Sequence, residues 1–164
     1  MTPRMLVAGF GNVLRGDDGF GVEVVRRLMD AGRVPAGVTL LEVGTGGIAL
    51  AQALLTPVDR LIVVDAMTRG GEPGHLYVLH VDSVETLTSV DMHMAVPSRA
   101  LGLAKALGAL PREVFLVGCE PQAVDDLTMD LSAPVKAAVD RAIIEVQALL
   151  ARAPADGREA AHHV

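Results

Sequence analysis

Aromatic residues, cysteine and excess positive charge are all scarce in this sequence. It has no tryptophan, one tyrosine and three phenylalanines among 164 residues. Proteins that bind single-stranded nucleic acid stack its bases on aromatic side chains and contact its phosphates with lysine and arginine. Because the formal net charge is −6, we expect no nucleic-acid partner and no binding to an anionic membrane surface.

The sequence also has little that indicates export or a membrane. Its single cysteine, Cys119, cannot form a disulfide within the chain, which is typical of a protein in a reducing compartment. The apolar run at 4–9 is too short for a secretory or membrane-spanning segment and ends at a glycine turn. We therefore expect a cytoplasmic protein with no membrane insertion.

Apolar residues, by contrast, are abundant. The sequence is 51% hydrophobic and 21% charged, a balance typical of a packed globule and not of a disordered chain. Its length suits one domain with a sizeable core. We expect a single α/β domain over residues 1–151, and a flexible C-terminal tail over 152–164 that is rich in small and polar residues.

Short apolar runs alternate with amphipathic segments along the chain. This alternation predicts a mostly parallel twisted sheet of about five strands, covered by helices on both faces. The segment 74–81 alternates in polarity, which predicts an antiparallel edge strand. The predicted strands are 4–9, 38–43, 60–66, 74–81 and 113–119, and the predicted helices are 18–32, 48–55, 83–87, 97–108 and 131–151.

The stretch GFGNVLRGDDGFG at 9–21 allows three interpretations. A nucleotide-binding turn would need G-x-G-x-x-G, but the third glycine position is Leu14, and the acidic pair Asp17 and Asp18 would repel a phosphate. Alternatively, Asp17 or Asp18 caps the following helix while the other faces a cleft. In the third interpretation, one of these carboxylates contacts a cation.

The expected topology favours the cation interpretation. In a doubly wound sheet, ligands bind beyond the carboxyl ends of strands where the strand order reverses. If the order begins 2-1-3, the acidic pair lies beside Asp65, which ends the third strand. His93 lies in a loop before a helix, and two carboxylates with an imidazole suit nickel, zinc or a similar ion. The other histidines are predicted to be solvated: His75, His80, His162 and His163.

These residues together resemble the nickel–iron hydrogenase maturation endopeptidase family. The resemblance runs from Met5 to Leu150 and rests on the pattern G-x-G-N-x-L-x-x-D-[DE]-G, followed by VVDA and the loop histidine. A late G-x-x-P…L-S segment strengthens it, at Gly118, Pro121, Leu131 and Ser132. The histidine is usually preceded two residues earlier by serine or threonine in this family, whereas this sequence has Asp91.

The resemblance implies a function and a site. Members remove a C-terminal extension from the hydrogenase large-subunit precursor after nickel insertion, and they are grouped with aspartic-type endopeptidases. Their metal-contacting positions match Asp18, Asp65 and His93, with Asp18 and Asp65 as the catalytic pair. The metal is expected to be nickel presented by the substrate, which zinc or cadmium can replace in a crystal. The glycine-rich turn that receives substrate backbone matches Gly44, Thr45, Gly46 and Gly47.

Two alternatives to this function stay open at the level of sequence. A non-catalytic module that senses nickel during hydrogenase assembly would carry the same residues. The second alternative is a nucleotide-binding α/β protein, which Gly9 and Gly11 would allow. Neither a serine or cysteine triad nor an H-E-x-x-H motif is evident.

Overall fold

The computed structural model describes residues 2–32, 34–81, 95–122, 124 and 127–154. Within these ranges the chain alternates strands and helices, as the sequence predicts. The predicted helix 83–87 lies outside the described residues, as does the tail from 155 onward. The elements are β1 Met5–Phe10, α1 Phe20–Ala31, β2 Val38–Gly44, α2 Ile48–Ala53, β3 Arg60–Ala66, β4 Leu76–His80, α3 Ala95–Ala106, β5 Glu113–Cys119 and α4 Ala133–Ala151, with a 3-10 turn Gly16–Gly19 before α1.

The strands form one sheet in the order β2-β1-β3-β5-β4. Strands β2, β1, β3 and β5 are parallel, and β4 pairs antiparallel with β5 at one edge. This confirms the predicted fold class, the 2-1-3 strand order and the antiparallel edge strand. The order reverses between β1 and β3, so the crevice between their carboxyl ends is the expected place for a ligand.

Helices cover both faces of the sheet, and its central strands are therefore buried on both sides. Every residue of β1 and β3 is buried. Alternate residues of each strand contribute to two separate cores. One core packs the sheet against α1 and α4, and the other packs it against α2 and α3. The apolar face of α1 lies in the first core and consists of Phe20, Val24, Val25 and Leu28.

The boundaries of α1 differ in one respect from the prediction. Gly32 ends the helix in the left-handed conformation, as expected. The helix begins after Gly19, which makes no side-chain cap, so the prediction that Asp17 or Asp18 caps it is wrong. The physical reason is that both carboxylates accept hydrogen bonds from other parts of the chain.

A buried arginine joins the C-terminal end of α4 to the amino-terminal ends of the strands β3 and β5. Arg60, 2% exposed, donates to the carbonyl oxygens of Leu149 and Arg152 and to the carboxylate of Glu113. These bonds satisfy carbonyl groups that the helix end leaves without partners.

Helix α4 has 19 residues, yet across the described ranges no helix combines the length and apolarity that a membrane span requires.

Candidate active site

The two predicted catalytic carboxylates lie at the carboxyl ends of adjacent strands. Asp65 is the penultimate residue of β3 and is 5% exposed. Asp18 lies in the 3-10 turn that follows β1 and is half-buried. Because β1 and β3 pair in parallel, their carboxyl ends meet at the same edge of the sheet. The fold therefore places both side chains at the crevice where the strand order reverses.

One short backbone stretch, Gly11 and Asn12, brings these two carboxylates together. The Asn12 N–H donates to Asp18 Oδ2 at 2.9 Å. A Cβ atom built on Gly11 would lie 3.6 Å from Asp65 Oδ1 and would overlap the carbonyl oxygen of Asp18. Gly11 also has φ +122°, which other residues rarely adopt. The approach of Asp18 and Asp65 to the same backbone thus depends on a glycine at position 11.

A second glycine sets how closely α1 lies against the sheet. A Cβ atom on Gly21 would overlap the carbonyl oxygen of Val64 and lie 2.6 Å from that of Phe10. The first turn of α1 therefore packs directly against the carboxyl ends of β3 and β1. The 3-10 turn that carries Asp18 comes just before α1, so it lies at the crevice. The glycines of the 9–21 stretch serve close backbone packing.

Asp17 lies in the same 3-10 turn as Asp18 and connects that turn to a distant part of the chain. It is 1% exposed and accepts hydrogen bonds from the Gln122 N–H at 2.8 Å, the Ser132 N–H at 2.7 Å and the Ser132 Oγ–H at 2.8 Å. The Gly16 N–H also donates to the Thr128 carbonyl at 2.8 Å. Asp17 thus joins the turn to the segment between β5 and α4, while the adjacent Asp18 faces the crevice.

The glycine-rich turn predicted to receive substrate borders the same crevice. The carbonyl of Gly44 accepts a hydrogen bond from the Gly11 N–H at 2.9 Å. A Cβ atom on Gly44 or Gly46 would meet no atom within 4 Å, and Thr45 is exposed. The backbone of 44–46 therefore stands open beside Asp18 and Asp65, which we call the acid pair, whereas Gly47, directly before α2, is buried.

Sequence reasoning missed a buried carboxylate at the end of β5. Glu120 is 3% exposed, and its Oε1 accepts hydrogen bonds from the N–H groups of Arg69 and Gly71 and from the Tyr77 hydroxyl. Burial raises the pKa of Glu120, but these donors lower it more, so the net pKa lies below its usual value. An ionised Glu120 thus orders the loop that follows β3 and contains Arg69 and Gly71. The position of Glu120 directly after a buried strand is the sequence signal that could have identified it.

The predicted third metal ligand, His93, lies outside the described residues. In the ranges that are described, no three His, Cys, Asp or Glu side chains form a group that could hold a metal ion. Asp18 and Asp65 are each oriented by a backbone donor, the N–H of Asn12 for one and of Ala66 for the other. Oriented carboxylates of this kind suit a divalent metal. His75 and His80 are exposed, as predicted.

Cys119 is buried at the end of β5 and cannot act as a nucleophile in this environment. Burial raises the pKa of its thiol to about 12, and the charge of Asp17 contributes to that rise. A raised pKa leaves the thiol protonated at neutral pH, whereas the thiolate is the reactive form.

We expect the Cys119→Ser variant to keep the endopeptidase activity that the family resemblance implies within about twofold of the wild-type rate, because a buried, protonated thiol is a poor nucleophile. The hydroxyl in an apolar core is expected to cost about 1–3 kcal/mol of stability. The rate should be measured well below the melting temperature, together with the rate of wild-type enzyme treated with iodoacetamide. Loss of cleavage in a folded Cys119→Ser protein would restore a covalent mechanism.

Comparisons with known proteins identify the family of the chain. Residues 22–149 match the HycI family of hydrogenase maturation proteases. The hydrogenase expression/formation protein HupM of Azotobacter chroococcum is 39% identical over 153 residues, which cover 92% of this chain and 73% of HupM. The corresponding HupD protein of Rhizobium leguminosarum is 38% identical over 145 residues, covering 87% of this chain and 71% of HupD.

Solved structures show the same likeness. The hydrogenase maturating endopeptidase HybD from E. coli superimposes with a TM-score of 0.80 at 29% identity, covering 90% of this chain and 91% of HybD. The NiFe hydrogenase maturation protease HybD from Thermococcus kodakarensis gives a TM-score of 0.75 at 27% identity, with 90% and 99% covered. The chain therefore belongs to the hydrogenase maturation protease family, and it is a peptidase.

Proposed function

We propose that this peptidase removes the C-terminal extension of a nickel–iron hydrogenase large-subunit precursor after nickel has been inserted. The observation that carries the proposal is the meeting of Asp18 and Asp65 at Gly11 and Asn12, at the switch point of the sheet. Membership of the maturation protease family supports the substrate class. The non-catalytic and nucleotide-binding alternatives find no comparable support.

In the proposed mechanism, Asp18, Asp65 and His93 contact the nickel that the precursor carries. Two carboxylates and one imidazole are too few to complete a metal's coordination shell, so the precursor supplies the remaining ligands. This contact would hold the scissile bond beside the acid pair, which accelerates reaction by proximity. One of the two carboxylates, Asp18 or Asp65, accepts a proton from the water that attacks the scissile carbonyl, and this proton passes to the amine of the released extension as the peptide bond breaks. The glycine-rich turn 44–47 would hold the extended substrate.

The proposal places the reaction in the cytoplasm, where a single unpaired thiol such as that of Cys119 stays reduced. Zinc or cadmium could replace nickel at the three side chains, because both accept oxygen and nitrogen ligands.

The test is to incubate the purified chain with nickel-loaded large-subunit precursor and to measure the intact mass of both proteins. We expect the precursor mass to fall by that of its C-terminal extension and the mass of the peptidase to stay unchanged. A precursor that binds but keeps its full mass would contradict the proposed function and would favour a nickel-sensing role.

A further inference from the structure

Three aliphatic side chains stand exposed on neighbouring loops beside Asp18. Leu14 is 55% exposed, Leu127 is 88% exposed and Met129 is 69% exposed. Leu14 belongs to the loop between β1 and α1, and the other two belong to the segment between β5 and α4. We call these three residues the apolar rim. Exposed aliphatic groups that are close together gain free energy when another molecule covers them.

Backbone pairing brings the two loops of the apolar rim side by side. Arg15 and Thr128 form a parallel bridge, and the Gly16 N–H donates to the Thr128 carbonyl. Leu14 directly precedes one bridged residue, and Leu127 and Met129 flank the other. All three exposed side chains therefore belong to residues next to the bridge.

The apolar rim is held in place before any substrate arrives. Asp17 joins the two loops by accepting hydrogen bonds from Gln122 and Ser132, and the Leu14 N–H donates to Asn12 Oδ1 at 3.0 Å. A surface that is already ordered loses little conformational freedom on binding, so more of the free energy gained by burying it contributes to affinity. This order distinguishes the apolar rim from a single apolar side chain on a surface.

The apolar rim is also continuous with the acid pair. Asn12 links them, because its N–H holds Asp18 and its side-chain oxygen accepts the Leu14 N–H. A peptidase must lay a polypeptide across its reacting groups, and the chain on either side of the scissile bond then covers the adjoining surface. We propose that the apolar rim binds an aliphatic segment of the precursor polypeptide that flanks the cleaved bond. This inference rests on the proposed function.

The test compares the double variant Leu127→Ser/Met129→Ser with the matched control Ile144→Ser. Ile144 is 62% exposed and lies on α4 about three turns beyond its start. With nickel-loaded precursor as substrate, we expect the double variant to raise KM at least about tenfold and to change kcat less than about twofold. Tenfold corresponds to about 1.4 kcal/mol of binding free energy. The control should stay within about twofold in both constants, and melting curves should show that both variants fold.

An unchanged KM in the folded double variant would overturn the proposal. Binding of fluorescently labelled precursor, measured by anisotropy, separates this result from a failure of the proposed function. If the wild-type chain binds precursor but cleaves none, a tenfold weaker binding by the double variant still supports the apolar rim, and equal binding overturns it. A wild-type dimer in sedimentation that the double variant abolishes would assign this surface to a second copy of the chain and would also overturn the proposal.

Discussion

Replacing Asp65 by asparagine is expected to lower the rate of precursor cleavage at least about 100-fold, the effect typical of a lost acid–base group. The substitution keeps the shape of the side chain and an oxygen that can accept the Ala66 N–H. It removes the negative charge that would contact the metal and accept a proton. Asp18→Asn is expected to have an effect of similar size, since its amide oxygen can still accept the Asn12 N–H.

The measurement is the single-turnover rate on nickel-loaded precursor, with the melting temperature of each variant determined beside it. Asp140→Asn is the matched control, because Asp140 forms an exposed ion pair with Arg27 on the surface of α4. Exposed pairs contribute at most about 1 kcal/mol, so this control should cleave at the wild-type rate. Wild-type rates in folded Asp18→Asn and Asp65→Asn proteins would remove both residues from the catalytic centre.

Replacing Gly21 by alanine is expected to destabilise the fold by at least about 3 kcal/mol, the upper range for overpacking in a rigid core. The added methyl group would overlap the carbonyl oxygen of Val64 and press on that of Phe10. Both obstacles are strand backbone, which cannot rotate away as a flexible side chain can. Relief requires α1 to move away from β1 and β3, and the turn that carries Asp18 would move with it.

Gly102→Ala provides the control for this prediction. Gly102 lies in α3, and a Cβ atom there would meet nothing within 4 Å. Alanine is the better helix former by about 1 kcal/mol, so the control should be neutral or slightly stabilising. Urea denaturation followed by circular dichroism compares the two variants. A Gly21→Ala protein as stable as the wild type would show that α1 does not need this close contact.

The fold could be predicted from the sequence because its central strands are buried on both sides. Uninterrupted apolar runs such as 61–64 predict central parallel strands, and the polarity alternation of 74–81 predicts the edge strand. Strand and helix ends shifted by one or two residues, where glycine and turn residues allow several end points. The placement of Asp65 and Asp18 also followed, because it depends only on strand order and not on side-chain detail.

The role of Asp17 could not be predicted in the same way. Its partner Ser132 is 115 residues away along the chain, and local sequence favours the alternative in which the aspartate caps the next helix. The hydrogen bonds to Ser132 and Gln122 are available only after β5 and α4 have packed. Glu120 was missed for a related reason, because its donors Arg69, Gly71 and Tyr77 lie in a loop and an edge strand.

We propose that the acid pair acts on a precursor that presents its own nickel. The most direct test compares cleavage of nickel-loaded and metal-free precursor by the same enzyme preparation. We expect the metal-free form to be cleaved at least about 100-fold more slowly, which corresponds to about 3 kcal/mol of missing metal contact. Free nickel added to the enzyme should not restore cleavage of a precursor that has lost its own nickel ligands. Equal rates for loaded and metal-free precursor would contradict the account.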